Sequence, residues 1–483
     1  MNDNSHKRDQ EVINERRNFY LPNMRILYTP LIFVELFFCF TLILYLFGPT
    51  MFEKTNTAFL LVMLIGYHTA FSFGYLYEIR KKNCININYG NEKTNMSSIV
   101  QSKRLTKFVK LMIISGLIIT VISTITYANI SSFSPSVIFL QLKQSINNPM
   151  LAYSESFRIN DGGVIYKFLV LTAPISWAAF PLSVAFFKRL TFTYKLLTVI
   201  MFFLESLRWI VMGRNKGVFD LAIIISVIIF MKILQRKYEH RNYQTTGLYN
   251  VKPKKVKSKR AFISVALILI AIVSYFTNAI GSRTQYYSYN SSIYEVPIMR
   301  LSPEILHPTI IYLTSYLTQG YHAFSKLIEV QWSPMYGIGN SMFLISNFSG
   351  LFGHDFFQYT YQAKLVPKGI DSMVAWHSFY TWVANDVHWL GVIVIMFLIG
   401  KYFAFVVKRN IIYGEIITYP IICLMFIMMF YMSGNNQIFS QPNTFVTFWF
   451  LFLYWILIRK KIVFTRSVYG LFDKNVYQKS VRK

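Results

Sequence analysis

The chain has 483 residues, of which 54% are hydrophobic, 18% are aromatic and only 14% are charged. Because a soluble domain carries roughly 25% charged residues, this composition excludes an ordinary soluble protein and indicates a polytopic membrane protein. The 49 Lys and Arg residues outnumber the 21 Asp and Glu residues, for a formal net charge of +28. In a soluble protein that charge would suggest nucleic-acid binding. Here most of it lies in short connectors between apolar blocks, so we expect no nucleic-acid partner.

Ten apolar blocks along the chain approach or reach the length that crosses a membrane, which is about 20 mostly apolar residues. The first block follows a polar, basic N-terminal segment, so we expect an uncleaved start-transfer helix there. We therefore predict an all-α polytopic membrane protein with about ten transmembrane helices. The predicted spans are residues 26–48, 57–77, 108–128, 164–187, 193–212, 218–234, 261–281, 388–407, 415–432 and 445–458.

Basic and polar connectors alternate between successive spans. Because Lys and Arg are retained on the cytoplasmic side of a membrane, this alternation predicts that both termini are cytoplasmic. The basic segments are the N-terminus, residues 78–107, 188–195, 235–260 and 408–414, and the C-terminal tail. The segments predicted on the opposite face are residues 129–163, 282–376 and 434–444.

The same pattern divides the chain into four regions. Spans one to seven and their short connectors occupy residues 1–281, and one large periplasmic loop occupies residues 282–376. Spans eight to ten occupy residues 377–463, and residues 464–483 form a basic cytoplasmic tail. We expect re-entrant or amphipathic helices in the long loop. Two of its pieces are apolar but too short to cross a membrane, residues 309–317 and 342–348.

The long loop interleaves aromatic residues with Gln, Asn and Gly. Aromatic side chains present apolar faces with polar tips, as sugar rings do, so this composition favours a carbohydrate site. An aromatic belt at the membrane surface is the alternative, but a belt does not explain the interleaved polar residues. Gly337 and Gly339 suggest a bent backbone near a ligand, although a plain turn explains them equally well. The candidate sugar-binding residues are Tyr316, Gln319, Tyr321, Trp332, Tyr336 and Asn340.

Cations also occur between the fifth and sixth spans, on the face where the orientation rule does not expect them. A charge inside a span costs roughly 2.5–3.5 kcal/mol on insertion scales. The planar fork of Arg can bind phosphate oxygens bidentately, so one interpretation is a phosphate site. The alternative is a tight turn whose cations touch lipid headgroups, with Glu205 pairing Arg208 one turn later. The candidate pyrophosphate-binding residues are Arg208, Arg214, Lys216 and Arg300.

A proton acceptor is expected where the long loop enters the eighth span. His377 and Asp386 lie there, and His is the more usual base near neutral pH. A structural role is the alternative for a lone His at an interface. The rival candidates are His322, Asp371 and Glu295.

Metal and disulfide chemistry have little support in the sequence. The three cysteines include two in apolar segments and one in a basic connector, without metal-ligand spacing. We therefore expect no metal, no cofactor and no disulfide framework. Glu35 and His68 lie inside the first two spans, and we interpret them as structural.

Three stretches are distinctive in their order and spacing. They are Gly213-Arg-Asn-Lys-Gly-Val-Phe-Asp220, Tyr316-Leu-Thr-Gln-Gly-Tyr-His-Ala-Phe-Ser325 running into Pro334-Met-Tyr-Gly-Ile-Gly-Asn340, and Thr381-Trp-Val-Ala-Asn-Asp386. In these stretches the chain resembles the Wzy family of O-antigen polymerases of Gram-negative bacteria. The arrangement of many spans with one large late loop is similar over the whole chain. The pair His322-Ala323 departs from the aromatic-glycine pair expected in the family.

The resemblance implies a metal-independent glycosyltransferase of lipopolysaccharide biosynthesis, acting at the periplasmic face of the inner membrane. Such an enzyme joins undecaprenyl-pyrophosphate-linked O-antigen repeat units into a longer glycan. Because pyrophosphate is already a good leaving group, cations can stabilise its departure; Arg208, Arg214, Lys216 and Arg283 would take that role. His377, then Asp386, would accept the proton of the acceptor hydroxyl. The implied partners are the lipid-linked oligosaccharide, membrane lipids, a chain-length regulator and a flippase.

Two other functions remain open. An O-antigen ligase uses the same donor but delivers the glycan to lipid A-core, and it also has a large late periplasmic loop. A lipid-linked oligosaccharide flippase is the alternative from another class. A flippase needs charges through the depth of the membrane, whereas the unexplained cations here gather at one face.

Overall fold

The computed structural model describes residues 24–81, 94–128, 130, 133–158, 163–214, 216–245, 277, 291–372 and 375–458. Within these ranges the regular structure is entirely helical, with no β-strand. The longer helices are α1 (Met24–Phe47), α2 (Thr57–Arg80), α3 (Thr94–Ala128), α4 (Pro135–Asn147), α5 (Pro149–Arg158), α6 (Val164–Phe186), α7 (Phe192–Val211), α8 (Lys216–Thr245), α9 (His307–Ser325), α10 (Met342–Phe352), α11 (Phe379–Tyr413), α12 (Thr418–Tyr431) and α13 (Pro442–Ile458).

Six of the described helices, α1, α2, α3, α6, α8 and α11, are long and apolar enough to cross a membrane. The prediction of an all-α protein with several membrane-spanning helices is therefore confirmed at this level. Described helices also coincide with the other predicted spans, except residues 261–281, which lie outside the described residues apart from residue 277. Helices α12 and α13 have only 14 and 17 residues. At 1.5 Å per residue, α12 is about 21 Å long, which is shorter than the ~30 Å hydrocarbon core.

Helix α11 begins earlier than the predicted eighth span. The sequence predicted a start at His388, but the helix runs from Phe379 and is interrupted at His388, where φ is 62° and ψ is 158°. That region of the backbone map is almost exclusive to glycine. The predicted boundary is therefore a sharp kink inside a longer element. The sequence did not reveal the part of α11 before His388, because the polar residues there are typical of a loop.

Helices α2 and α11 pack with their backbones in direct contact. Gly74 of α2 faces the carbonyl oxygen of Phe397, and a Cβ atom built on Gly74 would lie 2.0 Å from that oxygen. Gly400 of α11 likewise faces the carbonyl oxygen of Phe71. Small residues at such positions are typical of helix interfaces in membranes, where close approach supplies the packing energy.

The long loop folds back onto the helix bundle. Its helices α9 and α10 contain the two short apolar pieces that the sequence singled out. In α9, Tyr321 and Phe324 are fully buried, and their rings pack against Tyr45 of α1 and Tyr67 of α2. Helix α9 of the loop is therefore part of the hydrophobic core.

The glycine contact between α2 and α11 gives a direct test. We expect Gly74→Ala to lower the free energy of unfolding by about 1–3 kcal/mol, because the added methyl group overpacks a backbone contact. Gly66→Ala is the matched control on the same helix, since nothing lies within 4 Å of its Cβ position. Thermal unfolding of both variants in detergent measures the difference, and equal melting temperatures would contradict the close contact.

Candidate functional site

Asp386 holds a short turn of the long loop through three hydrogen bonds. Its Oδ1 atom accepts the backbone N–H groups of Gly337 and Gly339, each at 2.8 Å. Its Oδ2 atom accepts the side-chain amide of Asn340, also at 2.8 Å. Both carboxylate oxygens are therefore occupied by donors from one turn, and bonds to an ionised acceptor are stronger than neutral ones.

Asn385, the preceding residue, joins further parts of the loop to the same helix. Its carbonyl oxygen accepts the N–H of Met335 at 3.2 Å and the indole N–H of Trp332 at 3.0 Å. Its side chain accepts the N–H of Tyr361 and donates to the carbonyl of Gly339, both at 2.8 Å. The Asn385–Asp386 pair thus brings together two stretches that carry the family resemblance, residues 334–340 and 381–386.

Tyr336 lies at the tip of this turn. Its side chain is 88% exposed, and its φ is 51°, a value that non-glycine residues rarely adopt. A strained residue persists only where its surroundings over-determine the conformation, and the Asp386 bonds to the next residues do so. The turn therefore presents one aromatic ring outward on a rigid base.

A cavity lies among α3, α6, α7, α8 and the start of α13. Its empty space amounts to about 670 Å³ when the open solvent at its mouth is counted. Its wall combines aromatic rings with ionisable and amide groups. The residues that give it this character are Trp177, Glu205, Arg208, Trp209, Asp220 and Asn443.

Arg208 is buried in the cavity wall. Its guanidinium donates to the carboxylate of Glu205, one turn earlier on α7, and to the hydroxyl of Ser123 on α3. Its Nε atom has no hydrogen-bond partner within the described part of the chain. An unsatisfied buried donor costs about 1–3 kcal/mol, so Arg208 retains an N–H that a ligand oxygen could satisfy.

Lys216 reaches the same wall from the start of α8. Its Nζ atom donates to Asp220 at 2.6 Å and lies 5.7 Å from the ring centres of both Trp177 and Trp209. The cation is therefore paired with a carboxylate and placed beside two aromatic faces. The Glu205–Arg208 pair has a sequence spacing of three residues and the Lys216–Asp220 pair a spacing of four. Both spacings are common for ion pairs on helices.

Arg214 lies in the turn between α7 and α8, beneath α5. Its Nε atom donates to the hydroxyl of Ser156 at 3.0 Å, and its guanidinium is 5.8 Å from the Tyr153 ring. Gly213 has a φ of 61°, and a Cβ atom there would lie 2.6 Å from the carbonyl oxygen of Pro149. The close approach of α5 to this turn therefore requires glycine, and α5 covers one side of the cation cluster.

The other two predicted cations are not at the cavity. Arg283 lies outside the described residues, so its role stays a prediction. Arg300 is exposed on the short helix Pro297–Leu301. The neighbouring Met299 packs with Ile293, and Arg300 is not among the residues that line the cavity.

The remaining sugar-binding candidates divide between a half-buried site and the core. Tyr316 and Gln319 lie beside Trp376. The rings of Tyr316 and Trp376 have centroids 4.8 Å apart, and the side-chain oxygen of Gln319 accepts the backbone N–H of Trp376 at 3.4 Å. Tyr321 is fully buried, with its hydroxyl 3.0 Å from that of Thr41. The Tyr321 ring has no open face for a sugar, and we leave it out of the proposed site.

His377 is buried to 98%, with neither ring nitrogen hydrogen-bonded to a described residue. Burial lowers its pKa to about 3, and the nearby His322 contributes in the same direction. A base with so low a pKa is weak near neutral pH. His377 also does not line the cavity, so the geometry gives its predicted catalytic role no support.

Tyr431, the last residue of α12, lies between the cavity and the loop. It interacts electrostatically with Asp220 on the cavity side, and its ring centroid is 6.5 Å from that of Tyr316 on the loop side. The cation cluster and the Tyr316–Trp376 pair are therefore neighbours in space although they are about 100 residues apart in the chain.

No family model, curated protein or solved structure matches the chain. The resemblance to the Wzy family therefore rests on the three motif stretches, and the function that it implies remains a proposal. Among the described residues, no three or more His, Cys, Asp or Glu side chains are grouped to hold a metal ion.

Sequence reasoning did not assign a role at the site to four residues that line the cavity. Glu205 and Asp220 were visible as partners of cations three and four positions away. Trp177 and Trp209 carried no signal, because aromatic residues in apolar spans are usually interfacial. Only the packing of α6 against α7 and α8 identifies these two rings as cavity walls.

The Asp386 contacts predict that the turn at residues 337–340 becomes less ordered when this carboxylate is removed. Asp386→Ala removes the acceptor of three donors, and we expect a loss of about 1–3 kcal/mol in unfolding free energy together with faster proteolysis near Tyr336. Asp355→Ala is the control, since Asp355 is exposed and accepts one N–H, that of Phe357. Unchanged proteolysis of the Asp386 variant would mean that other contacts hold the turn.

The low pKa of His377 predicts a pH dependence of stability. The folded protein keeps this His neutral down to about pH 3, whereas the unfolded chain binds the proton near the ordinary value of 6.5. Acidification through that window therefore favours unfolding, by up to about 1.4 kcal/mol per pH unit for one proton. We expect His377→Gln to flatten the fall in melting temperature between neutral and mildly acid pH. His354→Gln, an exposed His in the same loop, should keep the wild-type slope.

Proposed function

We propose that the chain is a metal-independent glycosyltransferase that polymerises undecaprenyl-pyrophosphate-linked O-antigen repeat units. In this proposal it has about ten spans and cytoplasmic termini, and it lies in the bacterial inner membrane with the cavity and the long loop facing the periplasm. Its partners are the lipid-linked oligosaccharide, membrane lipids, a chain-length regulator and a flippase.

The observation that carries the proposal is the cavity with Arg208 and Lys216 in or beside its wall. A pyrophosphate needs several N–H donors and positive charge, and the cluster offers both. Arg208, Arg214 and Lys216 carry three positive charges against the two carboxylates of Glu205 and Asp220, which leaves one net positive charge. The Nε atom of Arg208 is a buried donor without a partner among the described residues, and in this proposal a phosphate oxygen accepts its hydrogen bond.

The walls of the cavity also suit the rest of such a substrate. Trp177 and Trp209 offer apolar faces to a lipid or sugar beside the cations. The neighbouring pair Tyr316 and Trp376 supports a binding region for the glycan, which would extend towards the exposed ring of Tyr336.

The carboxylates at the cavity offer proton acceptors in better positions than His377 or Asp386. Both oxygens of Asp386 are engaged in the turn, and His377 is buried away from the cavity. Glu205 and Asp220 lie beside the cations, where a carboxylate can accept the proton of an acceptor hydroxyl while the cations stabilise the departing pyrophosphate. We assign the base role to one of these two carboxylates.

Extension of a defined lipid-linked repeat unit by the purified protein tests the proposal. We expect longer glycans with or without a chelator, and a loss of about 100-fold or more in Arg208→Gln, since a charged donor to the leaving group is removed. Arg208→Lys should also be impaired if the planar fork is needed. Lys167→Gln, an exposed cation at the start of α6, should extend normally.

Each outcome addresses a different part of the proposal. Wild-type protein that never extends the substrate would overturn the polymerase function, and normal extension by Arg208→Gln would overturn the cavity as its site. A requirement for metal would overturn the metal-independent mechanism. In cells, deletion of a polymerase leaves core with one repeat unit, whereas deletion of a ligase leaves bare core.

A further inference from the structure

Two ionisable residues in the middle of spanning helices contact each other. Glu35 is the twelfth of the 24 residues of α1, and His68 is the twelfth of the 24 residues of α2. The Nδ1 atom of His68 lies 3.2 Å from Oε2 of Glu35, and the hydroxyl of Ser72 donates to Oε1 of Glu35 at 2.7 Å. Ionisable groups at this depth are costly and usually serve a function.

The start of α11 supplies the third member of the chain. The hydroxyl of Tyr380 lies 2.7 Å from Nε2 of His68, and Tyr380 is the second residue of α11. Because His68 is at the midpoint of α2, the start of α11 reaches the middle of the helix bundle. The ring of Phe38 stacks on the imidazole with centroids 3.3 Å apart and so restricts its rotation.

The three groups have complementary donors and acceptors. An ionised Glu35 accepts the Nδ1–H of His68, which leaves Nε2 unprotonated and able to accept the Tyr380 hydroxyl. The order of carboxylate, imidazole and hydroxyl allows a proton to pass along hydrogen bonds that already exist. Each link has a heavy-atom distance at which such transfer occurs.

A small cavity adjoins this chain and offers an entry for the proton. His68 and Tyr380 line it together with Thr41, Tyr321 and Ser433. The ionisable groups that act on Tyr380 are Tyr321, Glu35 and Tyr67, and among the described residues no Lys or Arg acts on either Tyr380 or His68. Apart from the imidazole of His68, the polar side chains at the cavity wall carry hydroxyls, which suit a water molecule rather than an anion.

We propose that Glu35, His68 and Tyr380 form a proton-binding and proton-transfer site in the middle of the membrane domain. A proton arriving from the cavity binds the Tyr380 oxygen, and the hydroxyl hydrogen of Tyr380 moves to Nε2 of His68. The Nδ1–H of His68 then moves to the carboxylate of Glu35. The result is a neutral carboxylic acid, a neutral imidazole in the other tautomer and an intact tyrosine, with one proton gained.

This site takes no part in the proposed transfer reaction, but it adjoins the helical segment that holds the long loop. Tyr380 precedes the Asn385–Asp386 pair by five and six positions on the same helical segment. Protonation of Glu35 changes which hydrogen bonds hold the start of that segment.

Infrared difference spectroscopy of the full-length protein in lipid nanodiscs tests the site. As the pH falls, we expect the C=O band of one carboxylic acid to appear, and this band to be absent in Glu35→Gln. Ser72→Ala removes a donor to the ionised carboxylate, so it should raise the pH at which the band appears. This second variant keeps the test valid if Glu35→Gln does not fold.

Tyr380→Phe distinguishes proton transfer from packing. It removes only the hydroxyl that bonds His68, and we expect it to shift the midpoint of the band by about one pH unit or more. Tyr67→Phe is the matched control: its ring stacks on Tyr380 at 5.2 Å, but its hydroxyl donates to the carbonyl of Trp389. The control should leave the midpoint unchanged.

Three results would overturn the proposal. The first is that, over the pH range in which the wild-type protein stays folded, no carboxyl band titrates that is lost in Glu35→Gln. The second is an unchanged midpoint in Tyr380→Phe, which would leave the hydroxyl outside the site. The third is an equal shift in Tyr67→Phe, which would mean that the loss of any nearby hydroxyl, and not of the bond to His68, moves the midpoint.

Discussion

The carboxyl end of one short helical segment, at Asn385 and Asp386, holds the long loop in place. Loop backbone that packs into a membrane protein must find hydrogen-bond partners within the protein, because lipid offers none. The two side chains and the Asn385 carbonyl group bond two separate pieces of loop, residues 332–340 and 361–362. The kink at His388 makes this arrangement compatible with a spanning helix, because the segment ends where the span begins.

The buried charges at the cavity also need partners within the protein. Each cation at the cavity is accompanied by a carboxylate or a hydroxyl, as buried charges require. The pairs Arg208–Glu205 and Lys216–Asp220 place opposite charges on neighbouring turns of a helix. With Arg214 included, the three cations exceed the two carboxylates by one positive charge.

Several features of the fold were predictable from particular residues. Long apolar runs predict spanning helices because hydrocarbon excludes unpaired backbone groups, and such runs are visible without any tertiary information. The spacing of Glu205 and Arg208 also predicts their contact. By contrast, Tyr321 was assigned to a sugar site because it lies in a polar loop, whereas α9 carries it into the core. The interpretation of Glu35 and His68 as structural could not consider Tyr380, which is over 300 residues away from His68 in the chain.

By itself, the sequence determined that this protein is helical and embedded in a membrane, and it located all the motifs discussed above. These properties depend on composition and on contacts between residues a few positions apart. Only the tertiary structure decided which motifs share a site, that Asp386 supports a turn, and that His377 is buried. Those outcomes depend on contacts between residues tens to hundreds of positions apart. The pattern of apolar and polar residues along one segment carries no information about which distant segment will satisfy its hydrogen bonds.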